Sequence, residues 1–354
     1  MWKPNKSVLC VILIGISSLL AGCDASYYWQ AVHGHWDLMR HKQPITELLA
    51  ADSTPTETRQ SLTYLLQARQ FALEQLALED NQSYLEYVEL ERDYVTWNVF
   101  ATPELSMQNH TWCYPIAGCV SYRGYFAKQD AEHYAEKMQR DGYDVYVGGA
   151  GAYSTLGWFA DPVLSTFLKR GELSLAALLF HELAHQVLYV QDDSVFNESF
   201  ASTVESILLQ RWVEQQGMQN HWPAYQAAEA RHQAFIQMVL ANKQQRNELF
   251  ESDLSDTEKR KQKAALITAL KADYEQFKLS WNFSGYDQWF ASDLNNAQLS
   301  TIATYNELKP GFIRLFTQTD QNLNAFLDAC RQLADQEKDQ RHQHLLQLAS
   351  DNRL

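Results

Sequence analysis

Residues 178–189 read LLFHELAHQVLY, which places three ionisable side chains inside an apolar run with helical spacing. Burying such groups is costly unless something binds them. His181 and His185 are four positions apart, so their imidazoles project from one helix face and can bind one metal ion. Glu182 adjoins the first imidazole and can reach a metal-bound water as a general base. This spacing predicts a catalytic zinc site, and two core histidines with other partners are the alternative.

A catalytic zinc ion needs a third protein ligand and one open position. The sequence VFNESFA, residues 195–201, supplies Glu198 near the first turn of the next helix. Two antiparallel helices joined by a short turn would bring Glu198 beside the histidines, although an acid there can also simply favour the helix N-terminus. Glu205 lies on the same helix face seven residues later and could orient a ligating histidine. An exposed acid is the alternative for Glu205.

The N-terminus has the organisation of a targeting segment. A basic start is followed by an apolar stretch, residues 8–20, and by the sequence LAGC. This pattern resembles the lipobox of bacterial lipoproteins, which implies a signal peptide over 1–22 and a lipid-modified Cys23; an ordinary signal peptide is the alternative. Asp24 is similar to an inner-membrane retention signal. We therefore expect a lipid-anchored protein in a Gram-negative cell envelope, facing the periplasm from the inner membrane.

The motifs together carry a family resemblance. HELAHQ followed by NESFA resembles the gluzincin metallopeptidases, particularly the aminopeptidase-N pattern of HELAHQ and NEGFA. The resemblance implies His181, His185 and Glu198 as zinc ligands and Glu182 as the base. Here His185 and Glu198 are 13 positions apart, closer than in that family, and the upstream methionine-glutamate-asparagine signature is missing. With the lipobox, CYPIAGCVSYRGYF and AYSTLGWFADPV, most of the chain resembles a bacterial lipoprotein family of predicted zinc aminopeptidases.

Charge and cysteine content agree with an exported enzyme. The formal net charge is −14, which argues against nucleic acid as a partner because phosphate binding needs a basic surface. Cys113 and Cys119 flank a short turn and are expected to form a disulfide in an oxidising compartment, with two reduced structural cysteines as the alternative. Cys330 is expected to be buried and inert.

The chain shows no repeat and no linker, so residues 23–354 are predicted to form a single metallopeptidase domain. Its expected parts, in chain order, are a helical region, a small sheet, the catalytic helices and a second helical region, over residues 24–110, 112–160, 172–215 and 220–354. The predicted fold class is α+β, mostly α-helical and zincin-like, with the sheet packed beside the HExxH helix.

Residues 148–162, GGAGAYSTLGWFADP, precede the motif helix. In zincins an edge strand there pairs with an extended peptide. Gly157 would let the substrate backbone approach, and Trp158 could wall a pocket. A glycine-rich turn with core aromatic residues is the alternative. Asp161 is a weaker candidate to meet a substrate amine.

Tyr305 is the candidate donor to the oxyanion that forms during hydrolysis, and a packing tyrosine is the alternative. Two imidazoles and a carboxylate suit Zn2+. The resulting prediction is a zinc peptidase acting on peptides through a metal-activated water, with aminopeptidase favoured. A zinc endopeptidase of the same fold and a non-catalytic metal- or partner-binding lipoprotein are the alternatives. The base Glu182 argues against the last, since a structural site needs none.

Overall fold

The computed structural model describes residues 25–80, 82–114, 118–152, 155, 160–169 and 171–350. Over these residues the fold is α+β with mostly helix, which confirms that part of the predicted fold class. No helix among the described residues has the length and apolar character needed to cross a membrane.

The helices are numbered in chain order. They are α1 Ala25–Arg40, α2 Ile45–Ala50, α3 Thr56–Leu76, α4 Lys128–Arg140, α5 Ser165–Leu168, α6 Glu172–Val187, α7 Ser194–Gln216, α8 Trp222–Glu251, α9 Asp256–Trp281, α10 Asp287–Phe290, α11 Asn296–Asn306, α12 Lys309–Gln318, α13 Leu323–Ala334 and α14 Lys338–Ser350.

In the described part of the chain, the strands form three small sheets. They are β1 Gln43–Pro44, β2 Glu86–Val88, β3 Thr96–Pro103, β4 Trp112–Tyr114, β5 Gly118–Val120, β6 Arg123–Tyr125, β7 Tyr143–Ala150 and β8 Val163–Leu164. The largest sheet is antiparallel, in the order β6-β3-β7, with Val99 opposite Val147 in its register. In the order β1-β2-β8, β2 pairs antiparallel with β1 and parallel with β8, and β4 and β5 form a hairpin.

The motif helix α6 lies in the main hydrophobic core. It packs chiefly against α7 and α3, and Leu179, Phe180 and Leu183 are fully buried. The Phe180 ring lies 5.8 Å from the ring of Phe71 on α3 and 6.4 Å from that of Trp212 on α7. Aromatic contacts at these distances fix helices laterally, so α6 is held on two sides.

Two details of the sheet differ from the sequence expectation. The helical prediction for residues 24–110 is wrong over Glu86–Val88 and Thr96–Pro103, where β2 and β3 lie. The central strand β3 carries β-branched and aromatic residues that suit a pleated, half-buried surface.

The β6-β3-β7 sheet packs mainly against α4 and α11, and α11 packs on α7. Its chief route to the motif helix is therefore through α11 and α7, not direct packing.

Close packing near the C-terminus gives a test of the fold. A Cβ atom added at Gly311 on α12 would lie 2.2 Å from the carbonyl oxygen of Leu345 on α14. Backbone cannot yield as a side chain does, so Gly311→Ala should lower the free energy of unfolding by about 1–3 kcal/mol. Urea denaturation followed by circular dichroism measures this change.

The matched control is Gly171→Ser, because a Cβ atom there meets nothing within 4 Å and serine is a favoured residue at a helix N-cap. The control should keep its stability. Equal stability of both variants would show that α12 and α14 are not in backbone contact.

Candidate metal centre

The two histidines project from α6 toward the N-terminal part of α7. His181, Glu182 and His185 are all buried, and the ring centroids of the two histidines are 5.0 Å apart. Their spacing of one helical turn aligns both rings on one face. The apolar residues that surround the motif keep this face in register with α7.

Glu198 reaches the histidines because a short turn connects α6 and α7. Asn197 closes this turn: its Nδ2 donates to Val190 O at 2.7 Å, and its Oδ1 accepts from Val190 N at 2.8 Å. Asp193 is the N-cap of α7 and accepts from Phe196 N at 3.2 Å. The asparagine and the cap therefore set the position from which Glu198 extends.

The three predicted ligands converge on one point. Glu198 Oε2 lies 3.1 Å from His181 Nε2 and 3.5 Å from His185 Nε2. The candidate ligand atoms of all three residues lie within 4.8 Å of one another. Ligands of a tetrahedral zinc ion with bonds near 2.0–2.1 Å are about 3.3 Å apart, so the two measured His–Glu separations fit such an ion.

Glu205 contacts the far side of His181. Its Oε2 lies 3.2 Å from His181 Nδ1, so both ring nitrogens of His181 face carboxylates. A neutral imidazole has one donor and one acceptor nitrogen. If Nδ1–H donates to Glu205, then the Nε2 lone pair of His181 faces the carboxylate of Glu198. Both are electron-pair donors, so only a cation between them satisfies them. The donor set therefore fits a metal ion shared by His181, His185 and Glu198, with Glu205 fixing the ring of His181.

Without a metal ion, the cluster places positive charge on His181. Burial opposes this charge, but hydrogen bonds to Glu198 and Glu205 raise the pKa of His181 to about 10. Burial would also raise the pKa of Glu198, yet the charges of His185 and His181 and their hydrogen bonds hold that pKa well below its ordinary value. The pocket thus favours a cation between a carboxylate and imidazoles.

Glu182 is the acid beside the ligands. Burial raises its pKa above the ordinary value, the two histidines oppose that rise, and Glu198 and Asp161 add to it. A buried carboxyl group with a raised pKa is a better proton acceptor than an exposed one, because its conjugate acid is stabilised. Its environment suits a general base.

Tyrosines surround the cluster. The ring centroid of Tyr305, on α11, lies 6.2 Å from that of His181. Tyr305 is 41% exposed, and the negative charge of Glu198 is the main cause that raises the pKa of its hydroxyl well above the ordinary value, so this hydroxyl stays protonated and can donate. Burial and then Glu198 raise the pKa of Tyr122 and of Tyr189 as well.

Neither Tyr122 nor Tyr189 was predicted from the sequence to belong to the site. Tyr122 lies in the quoted CVSYRGYF motif, and Tyr189 follows the motif helix by two residues. Neither has a diagnostic spacing to the ligands, because both depend on how the turns fold back. The signal in the sequence was that Tyr122 belongs to the segment CVSYRGYF, which carries part of the family resemblance and contains a second tyrosine.

Cys113 and Cys119 are joined by a disulfide across the β4–β5 hairpin. The hairpin also contacts the ligand turn, since Cys119 N donates to the carboxylate of Asp192. Lys338 Nζ, at the start of α14, donates to Asp192 O at 2.7 Å. The turn before Glu198 is therefore held between the hairpin and α14.

The remaining residues singled out from the sequence either lie outside the described residues or have contacts away from the candidate ligands. Gly157, Trp158 and the lipidation candidate Cys23 lie outside the described residues. Asp161 is buried, and its Oδ2 accepts from Thr155 N at 2.9 Å, so the carboxylate holds the loop before the motif helix. Cys330 is a buried free cysteine in the core, and burial raises the pKa of its thiol.

Comparison with known proteins identifies one family. A family model described as "Putative aminopeptidase" matches residues 26–345. No curated protein and no solved structure matches the chain.

The contact between Glu205 and His181 predicts a measurable loss of metal affinity. Glu205→Ala removes the acceptor that orients His181, so zinc affinity should fall roughly 10- to 100-fold. Competition titration against a chromophoric chelator measures it. Glu214→Ala, an exposed change on the same helix, is the control and should bind zinc like the wild type. Equal affinities of the two variants would exclude an orienting role for Glu205.

Proposed function

The chain belongs to this aminopeptidase family, whose model spans nearly all of its described residues, and from that premise we propose that it is a zinc-dependent aminopeptidase. One observation carries the proposal: two imidazoles and one carboxylate converge on a point beside a further buried carboxylate, Glu182. Three protein ligands leave one position open, and an adjacent base is needed only where chemistry occurs.

His181, His185 and Glu198 would hold the ion. Zinc is proposed because imidazole and carboxylate ligands suit it. When bound, it supplies a Lewis acid that activates water and polarises the scissile carbonyl. The protein contributes the arrangement of these ligands: Asn197 positions Glu198, and Glu205 orients His181.

Glu182 is proposed to move the proton. Its carboxylate accepts a proton from the attacking water and then donates it to the nitrogen of the leaving amine. Burial favours the protonated carboxyl group between these two transfers, which agrees with the raised pKa of Glu182. The residue needs no contact with the ion for this role.

Tyr305 is proposed to donate to the developing oxyanion. Its ring centroid lies 6.2 Å from that of His181. A hydroxyl that stays protonated beside Glu198 is a fixed donor, and such donors act on the charge that appears in the transition state. Tyr122 and Tyr189 lie near enough to Glu198 for its charge to raise the pKa of their hydroxyls, so they too stay protonated beside the site.

The substrate is proposed to be a peptide bound along the segment that follows β7. An extended peptide can pair with a strand edge, and Gly157 and Trp158 remain the candidates for backbone approach and for a side-chain pocket. We further propose that the enzyme is anchored through a lipid on Cys23 and faces the periplasm of a Gram-negative cell from the inner membrane.

A zinc endopeptidase is the second candidate. The observation that favours it concerns Asp161, whose two carboxylate oxygens accept from the N–H of Thr155 and so hold the loop before the motif helix. An aminopeptidase binds the substrate amine with a carboxylate. An endopeptidase needs no such acid, which agrees with an Asp161 that serves to hold the loop.

The base is tested by Glu182→Gln. This variant keeps the size of the side chain and all three ligands, so it should bind zinc normally and lose on the order of 10²–10⁴-fold in kcat. The assay uses two peptides of one sequence, the first with a free amine and the second acetylated. The wild type should cleave only the first.

The controls separate the alternatives. Glu251→Gln, an exposed change at the end of α8, should keep full activity. Cleavage of the acetylated peptide would identify an endopeptidase. Wild-type rates in Glu182→Gln on both peptides would reject the peptidase function.

The oxyanion donor is tested by Tyr305→Phe. Loss of a hydroxyl that acts in the transition state should lower kcat by about 10²–10³-fold with little change in KM. Tyr28→Phe, on the surface of α1, should leave both constants unchanged. A rise in KM alone would instead assign Tyr305 to substrate binding.

A further inference from the structure

The inner face of α1 is bound tightly to the rest of the protein. The Tyr27 ring lies 3.8 Å below the guanidinium of Arg123, and Gln30 Nε2 donates to Gly124 O at 3.2 Å. Gln30 Oε1 also accepts from Phe126 N at 3.1 Å. These contacts attach the helix to β6 and to the residue that follows it.

A glycine extends this close packing along α1. A Cβ atom at Gly34 would lie 2.2 Å from the ring of Phe126, and Leu38 is buried one turn further on. Residues 27, 30, 34 and 38 follow the spacing of one helix face. The rotation of α1 about its axis is therefore fixed by its contacts.

The opposite face of α1 is apolar and exposed. Trp29 is 73% exposed, Val32 67% and Trp36 58%, at the i, i+3 and i+7 spacing of one face, and Tyr28 adjoins them at 37%. Among the described residues, these four are more than a third of the eleven exposed large apolar side chains. Scattered exposed side chains are ordinary, but a contiguous group marks an interaction surface.

The chemistry of this surface narrows its partner. Asp37 and Arg40 form an ion pair at 2.6 Å, so the formal charges of α1 cancel. The ring of His33 stacks on Trp29, and the guanidinium of Arg40 lies 5.2 Å from the ring of Trp36. Tryptophan and tyrosine rings with polar edges are favoured at the level of lipid headgroups. A partner with a large net charge would gain little electrostatic attraction from α1, because the formal charges of this helix cancel.

The position of α1 in the chain points to the same partner. Ala25 begins the helix two residues after Cys23, a distance of at most about 7 Å. Trp29 follows within about 6 Å along the helix axis. If acyl chains on Cys23 enter a bilayer, the aromatic face is held at its surface.

We propose that the exposed face of α1, formed by Tyr28, Trp29, Val32 and Trp36, docks on the surface of the bilayer that holds the lipid on Cys23. The proposal rests on the proposed lipid on Cys23 and is independent of the peptidase function. It gives the anchor a second point of attachment, because one lipidated residue leaves the domain free to rotate, whereas a helix lying in the interface does not. Since the inner face of α1 is bound to β6 and Phe126, the membrane contact orients the whole domain.

The test measures quenching of tryptophan by lipid. The full chain, expressed in a Gram-negative host and purified from membranes, is reconstituted into phosphatidylethanolamine–phosphatidylglycerol vesicles with and without brominated acyl chains. The wild type should be quenched by the brominated lipid. The double variant Trp29→Phe, Trp36→Phe should lose most of this quenching while keeping the wild-type circular dichroism spectrum.

Trp281→Phe is the matched control, since Trp281 is also exposed but lies at the end of α9. It should keep the quenching of the wild type. Undiminished quenching in the double variant would overturn the proposal, as would an unquenched wild type. A third outcome would identify a second copy of the chain as the partner. The wild type and Trp281→Phe would then form a concentration-dependent dimer, the double variant would not, and the wild type would not be quenched by the brominated lipid. The intact mass reports the lipid on Cys23 separately.

Discussion

The arrangement of the candidate centre depends on the short turn between α6 and α7. The two histidines are fixed by one helix, but the third ligand is on another, and only this turn determines where Glu198 points. Asn197 joins its side chain to both backbone groups of Val190, and Asp193 caps the helix that follows. A small shift of the turn would move a carboxylate oxygen that now lies 3.1 Å from an imidazole nitrogen. The precision of the candidate centre is therefore a property of the backbone at residues 188–197.

The surrounding core explains why this polar group is stable. Five ionisable side chains, those of His181, Glu182, His185, Glu198 and Glu205, lie on this pair of helices, where burial would be costly for each alone. They offset one another: carboxylates flank both nitrogens of His181, and the histidines stabilise the charge on Glu198. Such a cluster is balanced only when it contains a positive charge, whether a proton on an imidazole or a bound metal ion. The energetic requirement of the core and the chemical requirement of a hydrolase coincide at this point.

The local part of the site could be predicted from the sequence because helical spacing fixes it. The face shared by His181 and His185 follows from their four-residue separation, and the distance to Glu198 follows from the short turn. The sequence also indicates the mostly helical class. The strand Thr96–Pro103 was missed because its neighbours read as helix and its two partner strands begin 20 and 40 residues after it ends. Tyr122 and Tyr189 were missed for a related reason, since no periodic pattern relates them to the ligands. Long-range pairing, unlike helical spacing, leaves no fixed interval in the chain.

The contacts of α14 have a consequence for how the protein is made. Arg341 Nε donates to Asp193 Oδ2 at 2.7 Å, and His342 Nε2 lies 2.8 Å from Asp193 Oδ1. These partners of the ligand turn lie 148 and 149 positions after Asp193 in the chain. The histidines and Glu198 are therefore synthesised well before α14, and their turn gains these contacts only once α14 has been made. A product that ends before α14 would carry every candidate ligand without this support for the turn that aligns them.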